Sequence, residues 1–531
     1  MKQDWQGLSL QEQIAQMIVV RASGHLFDRQ IRYPAWEANH QQLKTWLTEL
    51  KLGGVILLGG STAELQARIQ QLQDWADTPL FIAADVEEGI GQRFPGGTWF
   101  PPPMALSRIY SENPVLAEQC ASQMGEITAQ EALTVGINWL LAPVVDVNNN
   151  PDNPAINIRA FGDRPEVVGD LTTAFIRGAK STPILTTAKH FPGHGDTSSD
   201  SHLDLPAIYH SESRLAEIEL PPFKQAIVAG VDSVMTAHLL IPAWDDRLPV
   251  TLSAKIVTQI LRNRLDFSGL VITDALIMGG ITKYADPATV AVMAVEAGTD
   301  ILLMPDNPEV AIAAISTAVE SGRIPESRIE ESLSRIWQAK QQIFDTSWTD
   351  VELSSDRAQS AVNLILQKSL QLGKSTVTNE IQTNGRNLIV VDDVLNSPYL
   401  DINSPALTIP QSRGYQRQLV DNSTMDCILL DERPTLLQIF IRGNPFRGHA
   451  GLTAQTQAIY QQLVTEQRVA GVVIYGSPYV LKWFKTIINP DFDLPWAFSY
   501  GQMEESQALV LQNLFTEPIH SSQFKPDDFG F

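Results

Sequence analysis

The sequence predicts an α/β protein: a (β/α)8 TIM-like barrel over residues 1–345, then a smaller α/β sandwich-like domain over 358–531. Three observations predict it. Eight short apolar, β-branched runs alternate with segments of helical spacing through the first two-thirds of the chain, the rhythm of parallel α/β folds. A polar stretch at 346–357 follows the last of those helices and reads as a linker. A shorter strand-and-helix series follows. An open doubly wound sheet would give the same rhythm, so periodicity alone leaves both architectures open.

In order, the strand candidates are 17–20, 54–58, 80–84, 137–147, 184–188, 233–239, 270–274 and 300–304. Apolar residues at helical spacing fill 64–75, 115–133, 166–180, 255–265 and 309–320 between or after them. Ser61 and Glu64 have the spacing of a capping box, and Pro308 and Pro325 sit where a first-turn proline is tolerated. A helix at 326–344 closes the series. Beyond the linker, strands are expected at 387–391, 437–441, 472–475 and 496–500, with helices at 452–463 and 504–514. No short-period repeat is present.

Bulk properties exclude several function classes. A chain of 531 residues is too long for one ordinary core. A formal charge of −22 argues against a nucleic-acid binder, which needs a basic face, and against attachment to an anionic membrane. Cys120 and Cys427 lie far apart with no CxxC spacing, so neither a disulfide framework nor a zinc cluster is indicated. The polar N-terminus lacks a signal-peptide core and no apolar run reaches membrane-span length, which makes a cytoplasmic location the expectation.

The chemistry gathers in one segment. Lys189-His190-Phe191-Pro192-Gly193-His194-Gly195-Asp196-Thr197 is followed by Asp200-Ser201-His202, and four of the nine histidines fall between His190 and His210. The segment follows a strand candidate, and in a barrel that face collects catalytic groups. Its Pro-Gly and Gly breaks force an irregular loop. His190 and His194 have the spacing of zinc ligands on a helix, but Pro192 and Gly193 would break that helix. A phosphate loop fails because no GK[ST] ending is present, and a redox fold fails for want of GxGxxG after a strand.

KHFPGHGDT with the following DSH resembles the signature of family-3 glycoside hydrolases of the β-N-acetylglucosaminidase type, which trim β-linked N-acetylglucosamine from cell-wall fragments. Further stretches fall in the family's order: Asp85-Val86-Glu87-Glu88-Gly89 with Gln92-Arg93, Arg159-Ala160-Phe161-Gly162, Thr236-Ala237-His238, Thr251-Leu252-Ser253, Thr273-Asp274-Ala275-Leu276 with Met278, and Gly298-Thr299-Asp300 with Met304-Pro305. The resemblance covers about residues 10–345 and selects the barrel.

It implies a retaining hydrolase with Asp274 as nucleophile and His202 as acid/base, paired with Asp200. Asp274 ends an apolar run, so a barrel strand would deliver it to the catalytic face; an aspartate there also suits a helix cap. A histidine titrates near neutrality, which suits a group that gives and then takes a proton. A carboxylate two residues earlier would fix its tautomer. A loop-borne acid/base is also expected to be mobile. Asp85, Arg93, Arg159, Lys189 and His190 are the implied sugar contacts, while His194 and Asp300 read as braces. Two departures flank Asp85: Glu88 stands where the family usually has glycine and Ile90 where arginine is common. Sugar or aglycone preference is where these would act.

The mechanism needs no metal or organic cofactor, and the partner is a small carbohydrate; oligomeric state is not legible. Competing readings remain. A phosphorylase would use phosphate in place of water, and a histidine acid/base would not repel it as a carboxylate would. A β-glucosidase is disfavoured by the His-Asp pair. A dead sugar-binding barrel would lack Asp274 or His202, and both are present.

Overall fold

The computed structural model describes residues 5–377, 384–394, 397–421, 424–443, 450–488 and 494–515. By compactness the chain divides into two units, Met1–Val362 with Gly443–Ala450, and Asn363–Arg442 with Gly451–Phe531.

The first unit is the barrel. Its strands are β1 (Ile18–Ser23), β2 (Gly54–Leu58), β3 (Phe81–Ala84), β4 (Trp139–Leu140), β5 (Thr187–Phe191), β6 (Ser233–Thr236), β7 (Leu270–Thr273) and β8 (Leu302–Leu303). Parallel ladders join β4-β3-β2-β1-β8 and β5-β6-β7. Parallel bridges Trp139↔Leu185 and Ile272↔Ile301 link the two arcs and close the ring. Nearly every strand residue is buried, as a parallel sheet covered by helices requires. Side chains fill the interior: the Trp139 indole N–H donates to Thr187 Oγ1 at 2.9 Å, and its ring lies 5.1 Å from that of Phe81.

The helices form for readable reasons. Thr62–Trp75 begins at the expected capping box, Ser61 and Glu64 exchanging hydrogen bonds. Pro114–Val135 and Pro165–Ala179 each start on a proline whose missing N–H costs nothing there. Pro308 likewise opens Pro308–Glu320, whereas Pro325 is the cap before Glu326–Phe344 rather than a first-turn residue.

Three expectations shift. The run 137–147 yields only a two-residue strand, because Pro143 cannot donate to a ladder. The segment expected as an ordinary helix over 255–265 is a π-helix, Lys255–Arg264. The fifth strand is Thr187–Phe191 rather than 184–188, so Lys189 and His190 are strand residues at the barrel mouth and not loop residues. Their polarity hid them from a search for apolar runs.

The stretch between the expected domains is held along the barrel. Val351 N–H donates to Thr134 Oγ1 and Ser354 N–H to Glu131, both acceptors on Pro114–Val135. Helix Asp356–Ser369 then runs through the change from one unit to the other.

The second unit is a six-stranded sheet: β9 (Gln371–Leu372), β10 (Arg386–Val390), β11 (Gln416–Val420), β12 (Thr435–Ile441), β13 (Val469–Gly476) and β14 (Trp496–Ser499), ordered β11-β10-β12-β13-β14-β9. All pairs are parallel except the β14–β9 edge. Helices including Pro405–Ser412, Ala454–Thr465, Pro478–Ile487 and Glu504–Leu514 accompany it.

Candidate active site

The carboxyl ends of β3 through β7 bring the chemistry together. Asp85 follows β3, Lys189 and His190 end β5, His238 follows β6 and Asp274 follows β7. That is the face on which barrel loops build sites.

Asp274 is fixed on both sides. Its N–H donates to Thr236 O at 3.1 Å, and its Oδ1 accepts the Ala275 N–H at 2.7 Å. Burial would raise its pKa, but the fields of His190, His238 and His202 and the Ala275 N–H overturn that and hold the carboxyl below its usual range. The group is therefore ionised at neutral pH, as a nucleophile must be.

The His202–Asp200 pair is present as expected. His202 Nδ1 lies 2.7 Å from Asp200 Oδ1, and the same oxygen accepts the His202 backbone N–H at 2.9 Å. Asp200 is buried while the His202 side chain is about a quarter open at 23%. With Nδ1 committed to the carboxylate, Nε2 is the atom that can exchange a proton.

A second cluster surrounds the sugar-binding candidates. Lys189 Nζ is buried between Asp85 Oδ1 at 2.7 Å and Glu87 Oε1 at 2.6 Å. Arg159 grips both oxygens of Glu87 at 2.8 Å and the Ala155 carbonyl at 2.8 Å. Burial pushes Lys189 and Arg159 towards neutrality, but the carboxylates of Asp85 and Glu87 win and raise both. The half-open Asp85 carboxylate keeps acceptor capacity for ligand hydroxyls. Arg93 is exposed and donates Nε to the Asp85 carbonyl at 3.1 Å, so it lies at the rim beside Asp85 rather than in the buried cluster. His190 Nδ1 is held 2.8 Å from Asp146 Oδ2.

Braces complete the loop. His194 is buried, with Nε2 2.8 Å from Ser201 Oγ and Nδ1 2.9 Å from Thr197 Oγ1. Asp300 lies at the opposite, amino-terminal end of the barrel, where Arg262, Arg328, Arg335 and Ser332 converge on it. Glu88 and Ile90 are both fully buried: Glu88 accepts the Trp99 indole N–H at 3.0 Å, and Ile90 lies where any side chain on Gly97 would strike it.

Residues 9–339 match the Glycosyl hydrolase family 3 N terminal domain. This chain belongs to glycosyl hydrolase family 3. Residues 378–516 of the family 3 chain match the Bacterial Glycosyl hydrolase family 3 C-terminal domain. It is 33% identical over 338 residues to a β-hexosaminidase A of Pseudoalteromonas piscicida, across 58% of this chain and 56% of that relative, and so spans little more than half of its length. A β-hexosaminidase of Hydrogenovibrio crunogenus is 33% identical over 291 residues, 54% of this chain and 81% of the relative. A family 3 β-N-acetylglucosaminidase structure from Paenibacillus superposes with a TM-score of 0.79 at 27% identity, covering 97% of this chain and 98% of that one. A β-glucoside phosphorylase shares the fold at a TM-score of 0.80 and 21% identity, covering 97% and 93%. The family and the two-part α/β fold implied by the sequence motifs are thus the ones found.

Three site residues escaped the sequence reading. Glu87 sits inside the quoted DVEE motif but was given no role; its partners lie 72 and 102 residues away. Asp146, at the end of an apolar run, orders both His190 and His194. His238 bridges Thr251 Oγ1 at 2.8 Å and the Ala275 carbonyl at 3.1 Å, one residue beyond Asp274.

Glu87→Gln would leave two buried cations with one half-open carboxylate between them, at a cost of about 3–5 kcal/mol. A fall in Tm with loss of substrate affinity is expected in calorimetry and steady-state kinetics. His194 is held neutral by burial, its pKa lowered from 6.5 to about 4. Between those values the unfolded chain binds a proton that the folded chain refuses, so this site costs stability as pH falls from 6.5 towards 4. Denaturant midpoints across that window should fall less steeply for His194→Gln than for the parent.

Proposed function

We propose that this chain is a retaining β-N-acetylhexosaminidase that releases terminal β-linked N-acetylglucosamine from glycosides such as peptidoglycan fragments. The observation that carries the mechanism is the His202–Asp200 contact of 2.7 Å on the same barrel face as an ionised Asp274. The names of the family 3 relatives support the substrate class.

In the first step Asp274 attacks the anomeric carbon while protonated His202 gives its Nε2 proton to the glycosidic oxygen, and the aglycone leaves as an alcohol. In the second, neutral His202 takes a proton from water, the water oxygen bonds to the anomeric carbon, and the bond to Asp274 breaks. Asp200 stabilises the imidazolium before the first step and after the second, and fixes the tautomer between them. Asp85, Lys189, Arg159, His190 and, at the rim, Arg93 are the groups that would meet the sugar hydroxyls. Asp200→Asn keeps the shape and removes the charge; kcat is expected to drop about 10²- to 10⁴-fold with KM little changed, by analogy with triads whose orienting carboxylate is neutralised.

The assay is nitrophenol release from the 4-nitrophenyl β-glycosides of N-acetylglucosamine and glucose, first without phosphate and then with it. Turnover of the N-acetyl substrate alone, indifferent to phosphate, is expected. Acceleration by phosphate with a sugar 1-phosphate as product would make the enzyme a phosphorylase. Turnover of the glucoside alone would overturn the sugar preference. A cytoplasmic role in recycling cell-wall fragments belongs to the same proposal and rests on the resemblance of the motifs.

A further inference from the structure

The loop that carries His202 has a seat, and the seat is part of the nucleophile's own segment. Gly279 N–H donates to His202 O at 3.0 Å, and Gly280 N–H donates to Ser201 O at 3.0 Å. Lys283 Nζ adds bonds to Leu203 O at 2.8 Å and Asp204 Oδ1 at 3.3 Å. The segment between Asp274 and the glycines is itself anchored to the barrel, Leu276 N–H donating to Leu303 O on β8. Leu203 and Asp204 themselves are exposed. Ser201 also bonds to His194, its Oγ lying 2.8 Å from Nε2.

The two glycines are needed for space rather than for backbone conformation. Neither has a positive φ. A Cβ on Gly279 would lie 2.6 Å from Leu203 O and 2.9 Å from His202 O; one on Gly280 would lie 2.8 Å from Ser201 O and 2.9 Å from Asp204 O. These are backbone oxygens that cannot rotate away, so an alanine must push the loop off its seat. We infer that Gly279 and Gly280 are positioning residues that set the acid/base His202 relative to the nucleophile Asp274 without acting on Asp274 itself.

The inference rests on the roles proposed for Asp274 and His202, and its test separates the two. A dinitrophenyl leaving group needs no proton, whereas a phenyl leaving group does. For Gly279→Ala and Gly280→Ala, kcat/KM on phenyl β-N-acetylglucosaminide should fall about 100-fold, the scale of an ångström of misplacement. On the 2,4-dinitrophenyl substrate it should stay within about threefold, since the nucleophile is untouched. Azide, a nucleophile that needs no base, should accelerate release from the enzyme-bound sugar. Equal losses on both substrates, or no loss on either, would overturn the seat. His202→Ala must show the same split; if it does not, the assignment of His202 fails and not the seat alone. Should the alanine variants not fold, Lys283→Met removes one tie without adding bulk beneath the loop, and the same two substrates decide.

Discussion

Asp274→Ala is expected to lower kcat on 4-nitrophenyl β-N-acetylglucosaminide by roughly 10⁴-fold or more, the scale on which removing a covalent nucleophile acts. The buried carboxylates around it are each held by other groups. Asp200 is committed to His202, Asp146 to His190 and His194, and Glu87 to Arg159 and Lys189. The same variant should lose stability at neutral pH. Burial alone would raise the Asp274 pKa, but the surrounding histidines depress it below 3.8. A depressed carboxylate stabilises the fold above its unfolded value, and that contribution disappears as pH falls through the folded one. The gap in denaturant midpoint between parent and variant should therefore be widest near neutrality and close below pH 3.8.

His202→Ala is the second large effect, and its size should depend on the leaving group. Loss of a general acid costs about 10²- to 10⁴-fold where the departing oxygen needs its proton. On a dinitrophenyl glycoside the first step should survive, the enzyme-bound sugar should accumulate because water lacks its base, and a burst of dinitrophenol should precede slow turnover. Azide should shorten that slow phase. A uniform loss on all substrates would instead overturn the assignment of His202 as the acid/base. The dyad's geometry argues for the split: the His202 side chain projects from a loop, and its removal leaves Asp274 with its own hydrogen bonds to Thr236 O and the Ala275 N–H.

Much of this was legible in the sequence because the barrel strands are short apolar runs followed at once by polar motifs. Leu270–Thr273 then Asp274 is the clearest case: burial makes the strand apolar and the barrel geometry makes the next residue functional. The His202–Asp200 pair was legible for a different reason, being local, two residues apart on one loop. What the sequence hid is what depends on distant partners. Lys189 and His190 are polar yet strand-borne, because at the mouth of a barrel an inward position faces a site rather than a core. Glu87 could not be assigned until Arg159 and Lys189 were seen to close on it. Glu88 and Ile90, the departures from the family motif that flank Asp85, are buried, Glu88 against the Trp99 indole, which no feature of the sequence foretold. The strand β11 (Gln416–Val420) went unseen because it is an edge strand with only its last residue buried, so no apolar run marks it.

The central claim is that a glycosyl–Asp274 bond forms and breaks in each turnover. It is tested most directly by trapping that bond with an activated fluorinated N-acetylglucosaminyl donor that loads the enzyme quickly and leaves slowly, followed by proteolysis and mass spectrometry. A covalent intermediate on Asp274 requires one sugar per chain on the peptide containing it, lost on prolonged incubation as activity returns. A label on any other residue, or full turnover with no labelled peptide and an inverted anomeric product, would contradict it.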